Sequence, residues 1–97
     1  KMGSGRPDLG TYVIKTTAPI YLENLKKFLD EVSPGSTRIK GFVRLDTGHI
    51  MAIQSCYGDT KIESLTGYAG PTELIGIGPG IDRKTFGDRY KYFKNHL

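Results

Sequence analysis

The chain reads as an α+β domain: an antiparallel sheet of four to five strands with two helices packed on one face, in the order β-α-β-β-β(-β)-α. Two observations predict it. Apolar residues recur at spacings of three and four in two places, Leu22, Leu25, Phe28, Leu29 and Val32 near one end and Phe86, Tyr90, Phe93 and Leu97 near the other. Between them lie runs that alternate in polarity and are separated by turns of hairpin type. Two helices against one side of an antiparallel sheet is the economical packing for that order.

Each element has its own signal. In "TYVIKTT", Tyr12, Ile14 and Thr16 fall on one side and Val13 and Lys15 on the other, which predicts a strand. Pro19 sits where a first helical turn tolerates it, so the first helix is expected from there. Lys26, Lys27, Asp30 and Glu31 supply its outer face, and Ser33-Pro34-Gly35 ends it. The next strand places Ile39, Gly41, Val43 and Leu45 on one face and Arg38, Lys40, Phe42 and Arg44 on the other. Asp46-Thr47-Gly48 turns the chain into a returning strand over about 49–55. After Gly58-Asp59, "TKIESLT" is a weaker strand, "YAGP" a loop, and "TELIGIG" a strand of buried appearance. Residues 1–9, rich in Gly with Ser and Pro, read as a linker or an expression remnant, leaving one domain over 10–97.

Composition bounds the function. Of 97 residues, 37% are hydrophobic and 25% charged, the balance of a folded soluble domain. No apolar run approaches the ~20 residues of a membrane span. A single cysteine, Cys56, excludes an internal disulfide, so a reducing cytoplasm is the expected location. The net charge of +4 permits an anionic partner without requiring one.

The stretch "TELIGIGPGIDRKTF" runs from a strand through glycines into a helix, as phosphate-binding loops do. A Walker loop requires G-x-x-x-x-G-K-[ST], and Gly76 to Gly80 is too short for it. A dinucleotide fingerprint places its third glycine where Ile81 or Arg83 stands. Pro79 removes one amide donor. The plainer reading assigns Gly76 to close approach of a neighbouring element, Gly78-Pro79-Gly80 to a sharp turn and Asp82 to the cap of the last helix.

Two motifs together carry a family likeness. "RIKGFVRL" matches R-x-K-G-F-x-x-L at Arg38, Lys40, Gly41, Phe42 and Leu45. "TELIGIGPGID" matches E-L-x-x-I-G-x-G-x-D at Glu73, Leu74, Ile77, Gly78, Gly80 and Asp82. With their order, spacing and the helix "PIYLENLKKFLDEV", the chain from about Gly10 onward resembles the C-terminal domain of CobW-type GTPases. That resemblance implies a metallochaperone or insertase for zinc, cobalt or related metals, including cobalamin metabolism. GTP and the divalent metal would belong to an N-terminal P-loop domain of the full-length protein, so this domain would have no enzymatic activity and no cofactor of its own. Its implied partners are that GTPase domain, a metalloprotein client and a second copy of the chain.

Residues for chemistry are sparse. His49, Cys56 and His96 are the soft or borderline donors, and none forms a close pair of zinc-site type. His49 and Cys56 are therefore weak metal candidates, better explained as a turn residue near solvent and a small strand residue. Ser55 and Ser64 lack a nucleophile elbow, and Asp30-Glu31 sits on a polar helix face. No catalytic residue is expected. The face of Arg38, Lys40, Phe42 and Arg44 is the candidate contact surface, for an adjacent domain or a client. As an alternative it would bind RNA, since "KGF" opens as an RNA-recognition motif does; but Val43 and Arg44 follow, the second aromatic is absent, and nucleic acid is disfavoured. Of the last helix's aromatics, Tyr90 and Phe93 are expected in the core and Tyr92 exposed.

Overall fold

The structure, a computed structural model, describes residues 10–95. The linker reading of residues 1–9, the donor His96 and the last stripe residue Leu97 lie outside them. Strand β1 is Gly10–Thr16, helix α1 Leu22–Val32, followed by a 3₁₀ turn at Ser33–Gly35. Strands β2 (Arg38–Arg44), β3 (Ile50–Cys56), β4 (Asp59–Leu65) and β5 (Thr72–Gly78) come next. A π-helical segment, Arg83–Asp88, then runs into helix α2, Arg89–Asn95.

The weak segment "TKIESLT" is a full strand, so the sheet has five, in the order β1-β5-β2-β3-β4 with every neighbouring pair antiparallel. Its alternation is faint because an edge strand is wetted on both sides. The register lays side chains out in rows across the sheet. One helix-side row is Ile14, Leu74, Gly41, Ile53 and Ile62; the next is Tyr12, Gly76, Ile39, Ser55 and Thr60. Ile14, Ile39, Val43, Ile53 and Leu74 from this face join Leu25, Phe28, Leu29, Val32, Phe86 and Tyr90 in one core. Phe28 is its centre, with the rings of Phe86, Tyr90 and Phe93 at 5.3, 5.2 and 6.4 Å. Burying each such ring contributes roughly 1.5–3 kcal/mol from apolar area alone. Asn24 on α1 donates from Nδ2 to the Phe93 carbonyl at 3.0 Å, tying the two helices.

Two expectations need correction. Helix α1 begins at Leu22, not at Pro19. Ile20 is held extended against Leu45, donating its N–H to the Arg44 carbonyl at 3.2 Å while its own carbonyl accepts from Asp46 N at 3.1 Å. Pro19 therefore precedes a bridge and not a helical turn. The last helix opens with the wider π geometry, which spacing alone could not distinguish from α. In that segment Phe86 lies on Gly76, and Gly87 lies on the Tyr12 ring. The helical stripe itself stands as expected: Tyr90 is buried, Phe93 half-buried and Tyr92 exposed.

Gly41 is the sharpest demand the sheet makes on sequence. Its φ is +152°, and a Cβ there would stand 2.0 Å from the Glu73 carbonyl oxygen. Strands β2 and β5 approach too closely at this point for any side chain. Beyond it the ladder between them ends, and the Arg44 N–H donates to the Thr72 hydroxyl at 2.9 Å in place of a backbone carbonyl.

Candidate functional site

The helices cover one face of the sheet, and the opposite face carries the residues available for contact. Its rows follow from register. Val13, Ile75, Lys40, Gln54 and Lys61 cross all five strands in one row; Lys15, Glu73, Phe42, Ala52 and Glu63 form the next. A third holds Thr11, Ile77, Arg38, Cys56 and Asp59. Val13 is 48% and Ile75 40% exposed, large apolar side chains left in water side by side on the edge strand β1 and its neighbour β5. A shallow groove of about 280 Å³ runs from Ile75 toward β4, lined by Lys40, Phe42, Gln54, Glu63, Glu73 and Ile75, among others.

Charge on this face is mixed. Lys15 and Glu73 pair across β1 and β5 at 3.7 Å, both exposed, an interaction of about 0–1 kcal/mol. Lys40 and Lys61 are offset by Glu63 and Glu73. Such a surface lacks the one-signed field that nucleic-acid binding draws on.

Of the four residues expected on this face, all four are there, in two different states. Arg38 and Lys40 are exposed. Phe42 and Arg44 are half-buried, because the segment between β4 and β5 folds over that end of the sheet. The Tyr68 ring lies 4.6 Å from that of Phe42, its planes tilted by 33°. Arg44 donates from one guanidinium nitrogen to the Gly70 carbonyl at 3.1 Å and more loosely to Ala69 at 3.4 Å, and Tyr68 donates its hydroxyl to the Pro71 carbonyl at 2.9 Å. Ile50, which register places beside Arg44 and Leu65 on this face, is buried. The open face thus has a stapled end, at Phe42, Arg44 and Tyr68, and a bare region across β1, β5 and β2, at Val13, Ile75 and Lys40. With its ring against Tyr68 and flanked in its row by Glu73 and Ala52, Phe42 is poorly placed to stack on a base.

Sequence reasoning missed Val13, Ile75 and Tyr68. "TELIGIG" reads as buried on both sides, yet its Glu73, Ile75 and Ile77 point away from the helices. The signal lay in the order of elements: two helices cannot cover both faces of one sheet.

The weak metal candidates are not brought together. His49 is exposed in the β2–β3 turn, where Nδ1 lies 2.9 Å from the Thr47 hydroxyl. Cys56 is exposed at the far end of β3. Seven residues of strand separate them by roughly 20 Å, against metal-ligand bonds of about 2 Å. No group of three His, Cys, Asp or Glu side chains able to hold a metal occurs among the described residues.

The glycine stretch does not fit a phosphate. A Cβ on Gly78 would meet the backbone of Gly35 and Ser36 within 2.7 Å, so that space is filled by the turn after α1. The Gly80 N–H donates to the Gly35 carbonyl at 2.9 Å. Asp82 caps the following segment, its Oδ1 accepting from Thr85 N at 2.8 Å while the Asp82 N–H donates to the Thr85 hydroxyl at 3.0 Å. Those Thr85 bonds hold the Asp82 carboxyl below its usual range. The amides a phosphate would need are already committed.

On the helix side, Arg89 on α2 grips the Glu31 carboxylate at the end of α1 with two nitrogens, Nη2 at 2.8 Å from Oε1. Its guanidinium also lies over the Tyr92 ring at 4.5 Å. The bonds from Arg89 lower the Glu31 pKa and raise that of Arg89. No helix among the described residues is long and apolar enough to cross a membrane.

Comparison with known proteins agrees with this architecture. The Zn(II)-bound YjiA GTPase from E. coli superposes with a TM-score of 0.74 at 12% identity, over 91% of this chain and 30% of that one. A Zn(II)-bound triple mutant of the same protein gives 0.73, also at 12% identity with the same coverage. At that identity the likeness is one of fold, and the chain spans about a third of the length of those proteins. No sequence among the curated proteins matches. Residues 9–91 match the family described as the cobalamin synthesis protein cobW C-terminal domain, and a match over most of its length places the chain in that family.

Proposed function

We propose that this domain is a non-catalytic accessory module of a CobW-type GTPase in cytoplasmic metal trafficking. The bare region of its open face, around Val13 and Ile75, docks against the P-loop GTPase domain of the same protein. GTP and the divalent metal, zinc or cobalt, belong to that GTPase domain, and a metalloprotein client receives the metal.

The observation that carries this reading is the exposure of Val13 and Ile75, side by side on β1 and β5 of a sheet whose other face carries the helices. Adjacent large apolar side chains exposed on a sheet face, beside a groove with a few polar groups, mark a surface built to be covered. Lys40, Gln54 and Glu73 around them supply the polar rim.

Calorimetric titration of this chain with a separately produced P-loop GTPase domain tests it. Saturable binding is expected, and replacing both Val13 and Ile75 with Glu should abolish it while leaving the chain folded. Binding that survives those replacements, or tight binding of GTP by this chain alone, would contradict the reading.

A further inference from the structure

Strand β4 ends the sheet, with β3 on one side and no strand on the other among the described residues. Its pairing to β3 runs unbroken from Asp59 to Leu65, without proline. The turn that starts it is Tyr57-Gly58, with φ of 51° and 86°, the two positive values of a type I′ hairpin. In such a hairpin the flanking pair, Cys56 and Asp59, exchanges both backbone bonds. Asp59, Lys61, Glu63 and Leu65 therefore turn their amides toward β3, and Thr60, Ile62 and Ser64 turn theirs outward.

We propose that two copies of the chain pair edge to edge through β4, antiparallel about a twofold axis at Ile62. In that register Lys61 of each copy stands opposite Glu63 of the other, Thr60 opposite Ser64, and Ile62 opposite Ile62. The outward amides of one edge meet those of the second. Charges on an edge strand usually keep other strands away. Here the Lys-Ile-Glu order selects one register instead. An axis at Lys61 sets Lys61 against its own copy and Asp59 against Glu63; an axis at Glu63 sets two Glu63 carboxylates face to face. An axis at Thr60 also joins unlike charges, Asp59 to Lys61, but pairs a shorter stretch. Like charges directly opposite oppose pairing and unlike ones favour it.

The opposite edge has no such self-complement. About Val13 it would set Thr11 against Lys15, which Glu73 already engages. The perpendicular axis keeps both open faces on one side, so the association does not depend on the docking proposed above.

Sedimentation equilibrium of the 97-residue chain over a range of concentrations tests the proposal. A reversible dimer is expected. Lys61→Glu and Glu63→Lys should each weaken it about tenfold or more, since each turns two attractive pairs into repulsive ones. The double reversal should restore it, and Ile75→Glu on the open face should leave it unchanged. Circular dichroism identical to wild type confirms that each exposed-site variant is folded. A chain monomeric at every concentration, a dimer indifferent to the single reversals or unrestored by the double one, or a dimer lost with Ile75→Glu would overturn the proposal.

Discussion

The two faces of the sheet are written by the same strands in alternate residues, and they obey different rules. On the helix side most positions of β1, β2, β3 and β5 are constrained by volume. Gly41 and Gly76 are glycines because a carbonyl and a phenyl ring occupy the space a Cβ would take, and Phe28 is held among three other rings. On the open side the same strands carry Val13, Ile75, Lys40 and Gln54, none of which is fixed by packing within the domain. Stability resides in the first face, and the second is free to serve contact. The same fold recurs at 12% identity in the YjiA GTPase.

Substitutions should separate the faces cleanly. The largest effect is expected at Gly41. Gly41→Val should cost more than about 4 kcal/mol and leave no cooperative unfolding transition, as its Cβ has nowhere to go without parting β2 from β5. Next, Phe28→Ala should lose about 3–5 kcal/mol in a urea titration, the cost of emptying the middle of the aromatic cluster. Both are helix-side changes.

Tyr90 gives a pH signature. Its hydroxyl is buried and makes no hydrogen bond of ordinary geometry among the described residues, with Thr72 the polar side chain that influences it. Burial pushes the phenol from 10.0 up to about 12. The raised pKa means that the neutral phenol is favoured in the fold. Ionising it therefore costs the fold about 2–3 kcal/mol of stability, a loss absent below pH 10 and growing as pH rises toward 12. Tyr90→Phe should remove that alkaline loss with little change at neutral pH.

A smaller effect belongs to Glu31. Its pKa is lowered, so the Arg89 pair is at full strength above the ordinary carboxylate range and fails as pH falls through the lowered value. Exposed as it is, the pair should be worth less than about 1 kcal/mol, and Glu31→Gln should flatten acid-side stability by that much. Smallest of all, Val13→Ser and Ile75→Ser should shift stability by no more than about 0.5 kcal/mol in the same titration. If either unfolds the chain, the open face is structural and the contrast between the faces fails.

Much of the helix side was legible in the sequence. Leu25, Phe28, Leu29 and Val32 recur at helical spacing because one stripe must be apolar, and Gly76, Gly78 and Asp82 hold the roles their chemistry suggests. Tyr90 and Phe93 fell to the core for the same reason. The start of α1 was not legible, because Pro19 suits an extended bridge as well as a first turn; the contact between Ile20 and Leu45 decided it. Nor was the π geometry, since the spacing from Phe86 to Tyr90 fits either helix. On the open face, Arg38, Lys40, Phe42 and Arg44 were placed correctly by alternation. That Tyr68 and the 66–71 segment would claim Phe42 and Arg44 depended on a loop whose path no periodicity encodes. The exposure of Ile75 was hidden by the largely apolar run from Leu74 to Ile77.

Methyl NMR bears most directly on the open face as a docking surface. Spectra of this chain alone should be compared with those of the full-length GTPase. The methyls of Val13, Ala52 and Ile75 should shift and lose solvent contact in the full-length protein, while those of Leu25, Leu29 and Val43 hold their positions. If the Val13 and Ile75 methyls keep the same shifts and solvent exposure in both, the open face is not where the domain meets its partner.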